Sequence, residues 1–152
     1  VSQEPAHRSS TRAAADAWES LFRAQVVLMR RFEGGGDFAP LRPREYDVLF
    51  TLSLAGDHSL RLRDLNEQVF MSQPSLSRMV ERLEVRGLVS RAPAPDDARG
   101  LVVTLTPAGL ALQRQVGRQH VRSIARYVGG ALDEDELRML TELTAKLRAY
   151  RP

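Results

Sequence analysis

Apolar residues recur at helical spacing in several stretches of this chain and in short strand-like runs in two others. Over residues 11–32, Trp18, Leu21, Phe22, Leu28, Met29 and Phe32 fall close to a 3.6-residue repeat and give one apolar face. Gly34, Gly35 and Gly36 follow and end that helix, because three glycines remove helical preference. A second helix is predicted from Pro43, a residue suited to a first turn, with Tyr46, Leu49, Phe50 and Leu54 facing inward. Residues 59–62 read as a brief strand and residues 63–69 as a short third helix. Ser72 stands at the N-cap of a fourth helix, where its hydroxyl is placed to take an orphan backbone N–H. Pro74 is tolerated there, since a first-turn N–H has no intrahelical partner to lose. That helix turns Leu76, Met79, Val80 and Leu83 inward, and Gly87 supplies its left-handed end.

Residues 88–91 and 101–105 are strand-like. The prolines, aspartates and glycine between them are turn-forming, which predicts a β-hairpin with a long tip over residues 92–100. Thr106 and Pro107 pair an N-cap with a first-turn proline. The helix they open carries Leu112, Val116, His120, Ile124 and Val128 at steps of four and breaks at Gly129 and Gly130. Asp133 and Glu136 form a capping-box start for a last helix, lined on its apolar side by Leu137, Leu140, Leu143, Leu147 and Tyr150. The fold class is therefore mainly α with a small β-hairpin. No internal repeat is present, and residues 1–10 read as a flexible tail.

Composition narrows the function without defining it. The 152 residues suit one domain with its own core. The absence of cysteine excludes a disulfide framework, a Cys-ligated zinc site and a thiol redox sensor. No apolar run reaches a membrane-spanning length and the polar start lacks a signal-peptide core, so the expectation is a cytoplasmic protein with no membrane partner. Net charge is +3, nearly all of the basic residues being arginine. Such a bias follows from genome composition alone, so it permits a nucleic-acid partner without demonstrating one.

The local pattern over residues 62–105 is more informative. A short helix meets a longer one across Phe70, Met71 and Ser72, which suits a helix-turn-helix. The second helix is apolar on its buried side and offers Ser72, Gln73, Pro74, Ser75, Ser77, Arg78 and Arg82 on the other. Small polar and basic groups of this kind enter a major groove and hydrogen-bond to base edges or phosphates. The hairpin that follows makes the motif winged, with Arg91 and Arg99 expected at its tip, within reach of a minor groove or backbone. Between Arg61 and Gly100, seven arginines stand against six acids, a balance of only +1. The acids must therefore face away or orient arginines, and Asp97 is placed to orient Arg99 across the turn.

The run from Leu60 to Thr106 closely resembles the MarR family of bacterial winged helix-turn-helix transcriptional regulators. The resemblance is carried by Leu62-Arg63-Asp64-Leu65-Asn66 and by Ser72-Gln73-Pro74-Ser75-Leu76-Ser77-Arg78-Met79-Val80. It continues through Leu83, the Arg86-Gly87-Leu88-Val89 exit and the wing Asp97-Ala98-Arg99 leading to Val103-Thr104-Leu105-Thr106. It implies a winged helix-turn-helix over residues 41–106 and dimerisation helices over residues 11–40 and 107–152, all within one domain. It further implies a homodimer on double-stranded DNA, a wing arginine that contacts DNA, and release by a small, often aromatic, anion.

Relatives place such a pocket between the dimerisation helices and the winged helix, which singles out Trp18, Phe22, Arg23, Tyr46 and His120 as candidates. The ordinary alternatives are core packing for Trp18, Phe22 and His120, a buried tyrosine at 46 and a surface charge at 23. No cofactor and no metal site are expected, since His7, His58 and His120 lie far apart without helical ligand spacing. Residues 133–136 gather four carboxylates, which helix capping and the helix dipole explain better than catalysis. No nucleophile elbow, Walker loop or dinucleotide fingerprint appears, so an enzyme is not expected. The expected function is a homodimeric repressor on a pseudo-palindromic operator; the alternative is a winged-helix protein-interaction module that does not bind DNA.

Overall fold

The computed structural model describes residues 10–151, so the tail expected over residues 1–10 lies, apart from Ser10, outside the described residues. Helix α1 (Thr11–Gly34) opens on Ser10, whose hydroxyl accepts the Ala13 N–H at 3.1 Å. Helix α2 (Pro43–Leu54) follows, then strand β1 (Ser59–Arg61), α3 (Leu62–Gln68) and α4 (Gln73–Val85). Strands β2 (Val89–Ala94) and β3 (Asp97–Leu105) form the hairpin, and α5 (Pro107–Ile124) and α6 (Glu134–Ala149) close the chain. A π-helical turn over Ala125–Gly129 prolongs α5. The three strands make one antiparallel sheet in the order β1-β3-β2.

The core lies in the middle of the chain. Val48, Leu49 and Leu52 of α2, Leu65 of α3, and Leu76, Val80 and Leu83 of α4 meet Val89, Val103 and Val116, all essentially without exposure. These side chains fix α4 against the sheet. The exit of α4 is a full Schellman arrangement: Leu88 N–H donates to the Leu83 carbonyl at 2.9 Å and Gly87 N–H to Glu84 at 2.8 Å. Gly87 takes φ +71 to make it, the conformation glycine adopts without penalty. Thr106 then joins wing and α5. Its hydroxyl accepts the Gly109 N–H at 3.0 Å and donates to the Gly87 carbonyl at 2.7 Å. At the last helix, Asp133 and Glu136 exchange the two hydrogen bonds of a capping box, at 2.9 and 3.0 Å. Asp133 and Glu136 thus have a structural occupation, and Asp135 pairs with Arg138 at 2.9 Å.

Several expectations need correction. Phe50 and Leu54 are exposed; α2 is rotated so that Val48 and Leu52 fill the core beside Leu49. The core reading of Trp18 and Phe22 also fails, since Trp18 keeps 66% of its surface and Phe22 is exposed. Their rings stack on each other at 6.2 Å. Only Phe32 of α1 is buried, and no residue of α6 is. An apolar period shows that a helix has one greasy face; it does not say whether its own chain covers that face. The hairpin tip is shorter than expected. Pairing continues to Ala94 opposite Asp97, leaving only Pro95 and Asp96 as the turn, with an irregularity between Pro93 and Ala94 that absorbs the extra residues of β3.

Candidate nucleic-acid interface

The turn between α3 and α4 is pinned by Asn66, whose side-chain amide donates to the Met71 carbonyl at 2.8 Å. This holds α4 in a fixed pose with one face open. Gln73, Pro74, Arg78 and Arg82 are exposed on that face, and Ser75 and Ser77 are half-buried at its edge. Ser72 is the N-cap residue by position, but its hydroxyl donates to the Ser75 hydroxyl at 2.9 Å and takes no backbone N–H. The cap role expected for it is therefore a serine–serine pair instead. Among the described residues, neither Arg78 nor Arg82 has a carboxylate within ion-pair distance.

The wing arginines divide. Arg99 is exposed, its backbone N–H donating to Asp97 Oδ1 at 3.0 Å, so Asp97 does shape the backbone that presents Arg99. Arg91 is not at the tip. It pairs with Val103 in mid-hairpin, and its guanidinium lies 2.8 Å from Glu84 and 3.3 Å from Glu81 on α4. The Arg91 backbone N–H also donates to Glu84, at 2.9 Å. Arg91 clamps the wing onto the helix, its guanidinium turned to these two acids rather than standing free like that of Arg99. Sequence alone shows that an arginine follows a helix rich in acids, but pairing across seven and ten residues needs the fold.

Two further arginines emerge at this face that the sequence pattern did not single out. Arg61 of β1 is hydrogen-bonded to Asp96 at the wing tip. Arg63 of α3 pairs with Asp64 at 3.2 Å. The Arg61 guanidinium pulls Asp96 below its ordinary 3.8, and Arg91 pulls Glu84 below 4.5. A depressed carboxylate stabilises the fold above its unfolded pKa and loses that contribution as pH falls through the folded one. Glu84→Gln is accordingly expected to lower the thermal midpoint at neutral pH, with the difference from wild type narrowing as pH is taken below 4.5. A pH-independent difference in melting curves would contradict the ion pair as its source.

A cavity of about 550 Å3 lies behind the helix-turn-helix. Tyr46 and His120 line it, with Met29 of α1, Arg44, Asp47 and Phe50 of α2, and Phe70 of the turn. Trp18, Phe22 and Arg23 do not: they lie further back along α1, where Arg23 makes an exposed pair with Glu19 at 3.3 Å. His120 is held through Nδ1 by Asp37 at 3.1 Å, and Ser123 donates to the same buried carboxylate at 2.8 Å. The imidazole packs edge-on to Phe32 at 4.8 Å. Burial raises the Tyr46 phenol, with Gln113 opposing, and burial also raises Asp47. Among the described residues no group of three His, Cys, Asp or Glu side chains is arranged to hold a metal. No helix among them is long and apolar enough to cross a membrane.

A capped helix with an open polar-basic face, a pinned turn before it and a hairpin clamped behind it define a winged helix-turn-helix protein. The sequence model of the MarR family matches residues 39–100, the run from just before α2 into the wing. The multiple antibiotic resistance protein MarR of Salmonella typhimurium is 29% identical over 103 residues, 68% of this chain and 70% of that protein. Sco3205, a MarR family regulator from Streptomyces coelicolor solved in complex with DNA, superposes with a TM-score of 0.75 at 25% identity, covering 95% of this chain and 91% of its own. NadR, solved in complex with 4-hydroxyphenylacetate, superposes with a TM-score of 0.72 at 25% identity over 99% of this chain and 100% of its own. Over residues 39–100 the chain is thus similar to the MarR family of transcriptional regulators, and its fold is theirs. These similarities are to regulators and not to enzymes.

Proposed function

We propose that this protein is a homodimeric transcriptional repressor that binds a pseudo-palindromic operator in double-stranded DNA, in the cytoplasm, and leaves it when a small aromatic ligand fills the cavity. The observation that carries the reading is the pairing of α4 with the wing. Arg78 and Arg82 on one and Arg99 on the other are exposed, on elements locked to each other by Arg91. Free guanidinium groups on rigid supports suit phosphate and base-edge recognition. They speak against the alternative of an interaction module without DNA binding. The likeness to Sco3205, solved with DNA, supports the same reading.

Dimerisation is supported by the faces that this chain leaves uncovered: Trp18, Leu21 and Phe22 on α1, and Met139, Leu140, Leu143 and Leu147 on α6 with Tyr150 just beyond its end. The ligand is supported by the cavity's aromatic walls with Arg44 at its edge, and by the likeness to NadR with its hydroxyphenylacetate. The cavity touches α1, α2, α5 and Phe70, which stands in the turn directly before α4. A ligand there contacts both the dimer helices and the DNA-reading unit, as a switch requires.

A mobility-shift assay with the DNA flanking the protein's own gene tests the reading. A salt-sensitive, sequence-selective shift is expected. Arg99→Ala should weaken that binding by about 5–150-fold, the loss of one good groove contact, while sedimentation still reports a dimer. Unchanged affinity would remove the wing from the interface.

A further inference from the structure

The wing and the first turn of α4 enclose a small cleft of about 200 Å3. Arg61, Arg63, Gln73, Asp97 and Arg99 line it. It is below the roughly 300 Å3 at which small-molecule pockets begin, and charged and polar side chains line it beside Leu62 and Leu101. Its three guanidinium groups come from three separate elements, β1, α3 and β3. Arg61 engages Asp96 through Nη2, and Arg63 engages Asp64 through Nε. Each arginine thus spends one nitrogen on an acid that steadies it and keeps the other donors of its fork free. Arg99 has no carboxylate within ion-pair distance among the described residues, Asp97 being engaged with its backbone N–H.

We propose that this cleft is the seat of one DNA backbone phosphate, held by Arg61 and Arg63 opposite Gln73 and Arg99. The proposal rests on the DNA reading above and adds two residues to it. A tetrahedral anion is the group that accepts from several converging guanidinium forks at once. Three acids nearby, Asp64, Asp96 and Asp97, keep the empty cleft close to neutral, so it stands open without a strong field of its own. The seat also has a geometric role. Arg99 belongs to the wing and Gln73 to the start of α4, so a phosphate between them anchors both elements, already locked to each other by Arg91, at one point of the duplex. Contacts of this kind position a protein on DNA and carry no sequence information.

The test is the salt dependence of binding to any duplex that the wild type shifts, measured for wild type, Arg63→Gln and the double variant Arg61→Gln/Arg63→Gln. Each phosphate that is no longer neutralised makes the slope of log K against log salt shallower by about 0.9, so a dimer, with two such seats, should show a slope shallower by about 1.8. Affinity should fall by the same factor on every sequence. Arg63→Gln, which leaves the Arg61–Asp96 tie intact, guards against a wing that has merely loosened. A slope unaltered in both variants overturns the seat and leaves the DNA reading standing. A wild type that shifts no duplex overturns both. Stabilisation by inorganic phosphate that disappears in Arg63→Gln, with the DNA slope unchanged, would assign the cleft to free phosphate and equally overturn the proposal.

Discussion

Gly109→Ala is expected to destabilise the protein by about 3 kcal/mol or more, the upper range for forcing atoms into a packed site. Adding a methyl to a helical glycine ordinarily helps by about 1 kcal/mol, so the sign here is set by space alone. A Cβ on Gly109 would lie 2.0 Å from the Leu88 carbonyl oxygen, 2.9 Å from its carbon and 2.8 Å from a Leu105 methyl. Two of these three are backbone atoms and cannot swing aside. The same Leu88 carbonyl accepts the Thr106 N–H at 3.1 Å, so moving it breaks the junction between wing and α5. For a chain of this size the midpoint should fall by roughly 6–12 °C in a thermal melt. Gly34→Ala is the control: nothing lies within 4 Å of its added methyl, and its melt should match or slightly exceed wild type. Equal behaviour of the two variants would mean that α5 does not approach the Leu88 carbonyl so closely.

The second large effect is on assembly. Leu143→Glu with Leu147→Glu places two charges on the apolar face of α6, where both leucines are exposed in the single chain. If that face is the dimer contact, buried unpaired carboxylates there are prohibitive and sedimentation should show monomers. The isolated fold should be intact, because α6 contributes no buried residue to the core. DNA affinity should then drop by about 10²–10⁴-fold, the advantage of two linked half-sites over one. Recognition helices about 34 Å apart are what a two-fold operator requires. A dimer that persists in this variant would place the subunit contact elsewhere.

Much of this molecule was legible in its sequence wherever the cause is local. Leu76, Met79, Val80 and Leu83 declare the inner face of α4 because the helical repeat and burial by the same chain coincide. Gly87 and the Asp133–Glu136 box declare helix ends because caps need only three or four residues. Legibility stopped where an outcome depends on distant partners. Trp18 and Phe22 have a core-like period but project outward, since periodicity does not say which molecule covers a face. Arg91 and Arg99 look alike in sequence; Glu84 and Glu81 capture the first, and its position in the hairpin leaves the second free. The tip of the wing is shorter than its prolines suggested, because an edge strand tolerates proline where its missing N–H faces solvent. Arg61 and Arg63 were counted as charge but not placed, because the cleft they line forms only when β1 joins the wing as the outer partner of β3.

The order β1-β3-β2 has a mechanical consequence. β3 is the central strand, and it runs from the wing tip at Asp97 to Leu105, with Thr106 alone between it and α5. That residue is hydrogen-bonded on both sides, to Gly87 and Gly109, so the junction has no slack. The junction therefore couples wing and helix tightly, β3 reaching from it to the wing tip and α5 passing His120 at the cavity wall. An inserted pair of glycines after Thr106 would turn that tight junction into a hinge.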